Sequence, residues 1–187
     1  MIPEAVLEDQ SSRSLSDTLR NASGVNAGRA STGLRATTAV IRGFESDNVL
    51  RNGLRDDTLR ISSGITNIER IEILKGPASV LFGAGNIGGT INLVTEVPLE
   101  DPRYEFGLST GNNDLYGGSL DVTGPLNETG TLGYRLNMAY ENQGSFKDFE
   151  TSEFFFVAPT FELARTERSS LIVDIEYLER YSDGAAP

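Results

Sequence analysis

The residues that could do chemistry are few. The 187-residue chain has no Cys, no His and no Trp, and 16 Lys+Arg stand against 27 Asp+Glu, a formal net charge of -11. Without His there is no common general base and no imidazole ligand for a metal. Without Cys there is no thiol nucleophile, zinc ribbon, iron–sulfur cluster or disulfide. A Ser-His-Asp triad is therefore excluded, and carboxylate-only chemistry stays open. One glycine pattern has a chemical meaning. Gly83-Ala84-Gly85-Asn86-Ile87-Gly88 spells G-x-G-x-x-G after the apolar Val80-Leu81-Phe82, the literal dinucleotide fingerprint. Such a site needs a long strand before it and a helix opening at its last glycine, so that the helix N-terminus meets pyrophosphate. Here the preceding run begins just after Gly76-Pro77. The run that follows, Gly89-Thr90-Ile91-Asn92-Leu93-Val94-Thr95, is β-branched and stops before Pro98, which leaves no room for the helix. The glycines read better as a turn between a short helix and a strand. The acidic balance also argues against nucleic acid as a partner, because phosphate neutralisation needs surplus Lys and Arg.

The elements that must carry these residues divide the chain in two. Residues 1–98 hold 10 Lys/Arg and 11 Asp/Glu, net -1, while residues 99–187 hold 6 and 16, net -10. The first half reads as α+β. Pro3 suits the first turn of a short helix over 3–10. Ser14 and Asp17 form a capping box for a second helix, with Leu15, Leu19 and Ala22 on one face and Gly24 as its stop. Residues 37–44 and 49–55 are strand candidates, the latter broken by the tight-turn pair Asn52-Gly53. Residues 69–75 alternate, with Ile71 and Ile73 on one face and Arg70, Glu72 and Leu74 on the other. Residues 77–82 suit a helical turn and 88–95 a strand. The sum is a small mixed β-sheet with short helices and long polar loops.

The second half reads as an antiparallel β-meander. Apolar residues recur with period two in five sets: Tyr104, Phe106 and Leu108; Tyr116, Leu120 and Val122; Leu132, Tyr134, Leu136, Met138 and Tyr140; Phe155, Val157, Pro159, Phe161 and Leu163; and Leu171, Val173, Ile175 and Tyr177. Pro159 in a middle strand predicts a bulge or an edge. A soluble sandwich and a membrane barrel both fit this alternation. Three details suit the barrel. The strands are about 8–12 residues long, where about 9–11 span a bilayer. Tyr104, Tyr116, Tyr140 and Tyr177 sit near strand ends, where an aromatic girdle belongs. The opposite faces are charged and glycine-rich, as a wet lumen would be. No run approaches the ~20 apolar residues of a membrane helix.

A longer pattern resembles a known family. Ile41-Arg42-Gly43-Phe44 is followed by Ile68-Glu69-Arg70-Ile71-Glu72-Ile73-Leu74-Lys75-Gly76-Pro77-Ala78-Ser79-Val80-Leu81-Phe82-Gly83 and then by Gly88-Gly89-Thr90-Ile91-Asn92-Leu93-Val94-Thr95. This ordered series resembles the plug domain of TonB-dependent outer-membrane siderophore receptors. Ser14-Leu15-Ser16-Asp17-Thr18-Leu19 and Ser23-Gly24-Val25 fit the same plug, and Tyr134-Arg135-Leu136 and Val157-Ala158-Pro159-Thr160-Phe161 carry the match into the first barrel strands.

The resemblance implies transport of a ferric siderophore and no enzyme activity. The family's plug sits inside a barrel of roughly 22 strands, in the cell outer membrane and on the periplasmic side of the lumen. It implies residues 1–98 as a plug domain and residues 99–187 as the first five or so strands of a large transmembrane β-barrel. Measured against the family, the plug lacks its N-terminal segment and the barrel most of its strands, so the chain is expected to be a fragment. The TonB energy-transducing complex would be a partner through that N-terminal segment. The ligand encloses its own iron, so no cofactor and no protein metal ligand are implied. Plug charges that match the family's latch to the barrel wall are Arg42, Glu69, Arg70 and Lys75. Plug apices over residues 28–35, 45–48 and 57–64 offer Arg29, Asn48, Thr58 and Arg60 for ligand contact. Competing expectations are a soluble plug-like binding domain with a β-meander, and a nucleotide-binding enzyme built on residues 83–88.

Overall fold

Strand pairing in the first half follows from where its β-branched residues lie. The structure is a computed structural model that describes residues 1–3, 6, 15–19, 22–27, 39–46, 49–55, 65–76, 88–144, 151–164 and 169–183. The chain divides into two compact units, Met1–Glu96 and Val97–Pro187.

The first unit contains β1 (Ile2–Pro3), α1 (Leu15–Leu19), β2 (Val25–Ala27), β3 (Ala39–Ile41), β4 (Phe44–Ser46), β5 (Val49–Arg51), β6 (Leu54–Arg55), β7 (Ile68–Lys75) and β8 (Gly89–Thr95). A mixed sheet runs β1-β7-β8-β5-β6, and a small sheet runs β2-β3-β4. The β5–β8 pair is parallel and the other pairs are antiparallel. One core holds the unit: Ile2, Leu15, Leu19, Val25, Ala39, Ile41, Val49, Ile65, Ile68, Ile71, Ile91 and Leu93 pack together, with Val6, Ala22 and Ile73 against them.

Three expectations are corrected in this unit. Ile2 and Pro3 pair with Ile71 and Arg70 as a strand, so no helix begins at Pro3. Proline can occupy a short edge strand because its missing N–H can face away from the ladder. The single strand expected over 37–44 is a hairpin instead. Arg42 and Gly43 both have positive φ, 53° and 87°, and reverse the chain between β3 and β4, as a type I′ turn requires. Simple alternation in β7 also fails at its start, because a bulge between Ile68 and Arg70 adds Glu69 to that strand. The extra residue resets the parity, so Ile68 and Ile71 both enter the core although they are three residues apart. The helices expected over most of 3–10 and over 77–82 lie outside the described residues.

The second unit is a meander of β9 (Arg103–Gly111), β10 (Leu115–Pro125), β11 (Gly133–Gly144), β12 (Thr151–Leu163), β13 (Leu171–Asp174) and β14 (Tyr177–Asp183). The order is β9-β10-β11-β12, with β13 and β14 both paired to β12. Neither a bulge nor an edge appears at Pro159, which corrects that expectation. The β11–β12 register is continuous from Gly133↔Glu162 to Gly144↔Thr151. The break falls on the neighbour. Thr160 pairs with Asp174 and Val157 with Tyr177 in one unchanged register, so β13 and β14 are two halves of one strand interrupted at 175–176. Ile175 N–H donates to Pro159 O at 3.1 Å, but Pro159 has no N–H to return the bond.

Candidate functional site

The polar face of β7 and β8 is built by cross-strand register. Glu72 lies opposite Asn92, and Leu50 of β5 lies on the far side of Asn92. Asn92 is buried, so both ends of its amide need partners. Its Nδ2 donates to Glu72 Oε2 at 2.9 Å, and its Oδ1 accepts from Gly53 N–H at 2.9 Å. Arg70 continues the chain of bonds: Nε donates to Glu72 Oε1 at 3.0 Å and Nη1 to Glu69 Oε1 at 2.7 Å. The hydrogen bond from Asn92, with that from Arg70 next, holds the Glu72 carboxyl below the usual carboxylate range. Glu72 in turn raises the Arg70 guanidinium above its ordinary value.

The Asn52-Gly53 turn is fastened to the same strand pair. Both residues have positive φ, 50° and 80°. Asn52 N–H donates to Leu93 O at 2.9 Å, its Nδ2 to Thr95 Oγ1 at 2.8 Å and its Oδ1 accepts Thr95 N–H at 3.0 Å. The β5–β6 hairpin is thus tied to β8 by side chains. Glu69, Arg70, Glu72 and Asn92 form one hydrogen-bonded strip that ends on Gly53 N–H, and Asn52 is fastened beside it to Leu93 and Thr95.

The expected latch residues separate. Glu69 and Arg70 are joined in this strip. Lys75, at the end of β7, donates from Nζ to Ser23 O at 2.5 Å, the turn that follows α1. Arg42 is exposed at the tip of the β3–β4 turn, and its backbone N–H donates to Gly24 O at 2.9 Å. Arg29, Asn48, Thr58 and Arg60 lie outside the described residues. So do residues 83–87 of the glycine pattern. Gly88 and Gly89 are described, and they answer the nucleotide reading. Strand β8 begins at Gly89, so no helix opens there. Gly89 has φ 143°, and a Cβ on it would stand 2.2 Å from Leu74 O. Its carbonyl accepts the buried Ser46 hydroxyl at 2.7 Å. The glycines serve close backbone approach.

In the second unit the two faces of the sheet are inverted relative to a water-soluble protein. Tyr104, Phe106 and Leu108 are 70%, 72% and 76% exposed. In register beside them run Val122, Leu136 and Pro159, then Leu120, Met138, Val157 and Tyr177. The opposite face carries Thr123, Arg135, Asn137, Thr160 and Glu162, all buried. Sequence reading assigned that face to a wet lumen, and the structure buries it. Its polar groups are bonded: Thr160 Oγ1 donates to Asp174 Oδ1 at 2.6 Å, and Arg135 grips Asp121 with two arms, Nε–Oδ1 3.0 Å and Nη2–Oδ2 2.7 Å. Phe156 is the large apolar member of this face, stacked on Phe154 at 6.2 Å, with Arg180 over the Phe154 ring. Asp121, Asn92 and Asn52 had no sequence signal beyond the turn-forming Asn-Gly pair.

Comparison with known proteins agrees with this geometry. Residues 1–90 match the family described as TonB-dependent Receptor Plug Domain. The metal-pseudopaline receptor CntO of Pseudomonas aeruginosa (strain UCBPP-PA14) is 44% identical over 109 residues, which is 58% of this chain and 15% of the receptor. The ferrioxamine B receptor of Salmonella typhimurium (strain SL1344) is 31% identical over 100% of this chain and 28% of its own length. Among solved structures, the pyoverdine outer membrane receptor FpvA of P. aeruginosa PAO1 superposes with a TM-score of 0.86 at 27% identity, over 95% of this chain and 27% of that one. The ferric-catecholate import receptor Fiu of E. coli K12 does so with a TM-score of 0.84 at 26% identity, over 96% of this chain and 26% of its own. The chain belongs to the TonB-dependent receptor family, and it spans 15% and 28% of the two curated relatives named.

Proposed function

We propose that the protein to which this chain contributes takes up ferric siderophores across the outer membrane, driven by the TonB complex. On this reading the first unit serves as the plug and the second as the start of the barrel wall. The relatives include receptors for ferrioxamine B and pyoverdine, which supports a siderophore as the cargo. The observation that carries the reading is the inverted sheet. In β11 and β12 aromatics bracket aliphatics: Tyr134, Leu136, Met138, Tyr140 in one, Phe155, Val157, Pro159, Phe161 in the other. The register sets Tyr134 beside Phe161 and Tyr140 beside Phe155. Six residues of strand cover about 20 Å, a band with an aromatic row at each edge, as a lipid-facing barrel wall has.

Within the plug, Arg29 and Arg60 are proposed as cationic contacts for an anionic ferric complex, with Asn48 and Thr58 as neutral ones. Arg42, Glu69, Arg70 and Lys75 are proposed as the latch. Arg42 supports this by its place: it is exposed at the tip of the β3–β4 turn, where its charge is open to a carboxylate partner.

The test is uptake of radioiron by a strain stripped of its own siderophore receptors and carrying the whole protein. Uptake from a hydroxamate, catecholate or pyoverdine-type ferric complex is expected, and it should vanish when TonB is deleted. Uptake that is indifferent to TonB, or absent for all three ligand types, would overturn the proposal.

A further inference from the structure

The segment that opens the second unit has the look of a linker, yet it is fastened at several points. Arg135 is 4% exposed. Two arms of its guanidinium fork the Asp121 carboxylate, and the third, Nη1, donates to Val97 O at 3.3 Å. Thr123 is fully buried. Its Oγ1 accepts Leu99 N–H at 2.9 Å and donates to Tyr134 O at 3.0 Å. Two glycines make room for two prolines. A Cβ on Gly133 would stand 2.9 Å from Pro98 Cβ, and one on Gly124 would stand 3.3 Å from Pro102 Cα. Gly124 and Gly133 lie at the loop end of the β10–β11 hairpin, where Gly124 pairs with Tyr134 and Pro125 with Gly133.

We infer that residues 97–102 are a fixed anchor, in which Arg135 and Thr123 fasten the segment to the β10–β11 hairpin so that opening of residues 1–96 stops at Val97. The chemistry suits the role. A planar guanidinium held bidentate by Asp121 cannot swing away from Val97 O without breaking two charge-assisted bonds. The Leu99 amide is shielded by a hydroxyl that is itself oriented by Tyr134 O. Two prolines on the segment limit the backbone freedom it could recover on release. Arg135 and Thr123 are thus positioning residues for the plug. The inference rests on the proposed function only for its use in transport; the anchor itself is a property of the second unit.

Hydrogen exchange on the whole chain in lipid vesicles tests it under mild denaturant. The Leu99 amide is expected to stay protected after the amides of β7 and β8 have exchanged. Arg135→Met and Thr123→Val should each lower Leu99 protection by about tenfold, the scale of one lost hydrogen bond, while the mid-strand amides of β10 and β11 keep theirs. Thr123→Val keeps the side-chain volume and reads the anchor even if Arg135→Met fails to fold. Leu99 exchanging together with β7 and β8, or protection unmoved by Thr123→Val, overturns the inference. Neither result depends on uptake, so failure of the anchor and failure of the transport reading are told apart.

Discussion

Both ends of the Asn92 amide are engaged, which makes this residue the joint between β7 and the Asn52-Gly53 hairpin. Asn92→Leu fits a strand but strands the Gly53 N–H and one Glu72 oxygen. Unsatisfied groups of this kind cost about 1–3 kcal/mol, and urea unfolding of the first unit should show a loss of that size. Glu72 predicts a pH dependence. Its folded value lies below the ordinary one, so its contribution is present above the unfolded-state value of about 4.3 and is lost as pH falls through the lower folded value. The gap in urea midpoint between the wild type and Glu72→Gln should therefore be open at neutral pH and close in acid. A gap that persists at the lowest pH would show that shape, not charge, matters there. At Arg42, Asn tolerates positive φ better than Arg does. Arg42→Asn is expected to stabilise the first unit by about 1 kcal/mol while loosening the plug in the whole receptor. Antibiotic leakage through the receptor measures the second effect, and leakage unchanged from the wild type removes Arg42 from the latch.

Among the elements, the legible ones were those whose information is local. Asn52-Gly53 announces a two-residue turn, and the β-branched run after Gly89 announces a strand, because each rests on the conformational preference of neighbouring residues. Arg42-Gly43 was read as part of a strand because Arg at positive φ runs against preference. The bulge at Glu69 was equally hidden, since nothing in Ile68-Glu69-Arg70-Ile71 says which residue the partner strand will skip. The polar strip was half legible. Glu69, Arg70 and Glu72 stood out by charge, but Asn92 comes from another strand and joins only through strand register. Pro159 shows the same limit. Its lack of an N–H is readable, but the strand that suffers is the neighbour. Pro159→Val should restore the missing bond to Ile175 O and merge β13 with β14, a gain of about 0.5–1.5 kcal/mol. Exchange protection of the amide gained at position 159, with none lost at Ile175, would register it.

At the scale of the whole molecule, alternation alone left a sandwich and a barrel level, because both need one apolar face per strand. Burial separates them. In a sandwich the apolar face of β9–β12 would be the covered one. Here Phe106 and Leu108 are open, and the face with Arg135, Asn137 and Glu162 is closed. That inversion has an energetic consequence at Met138, in the middle of the apolar band between Tyr134 and Tyr140. If the band faces lipid, Met138→Arg places a charge near the bilayer midplane and costs about 2–4 kcal/mol. If it faces water, the same change is a surface substitution worth no more than about 0.5 kcal/mol. Flotation of the chain with lipid vesicles, followed by urea titration of the bound fraction, distinguishes the two. A drop in midpoint for Met138→Arg, against little change for Thr110→Arg at the end of β9, is the expected result. Equal, small effects at both positions would return the second unit to the class of soluble meanders and withdraw the membrane reading of its outer face.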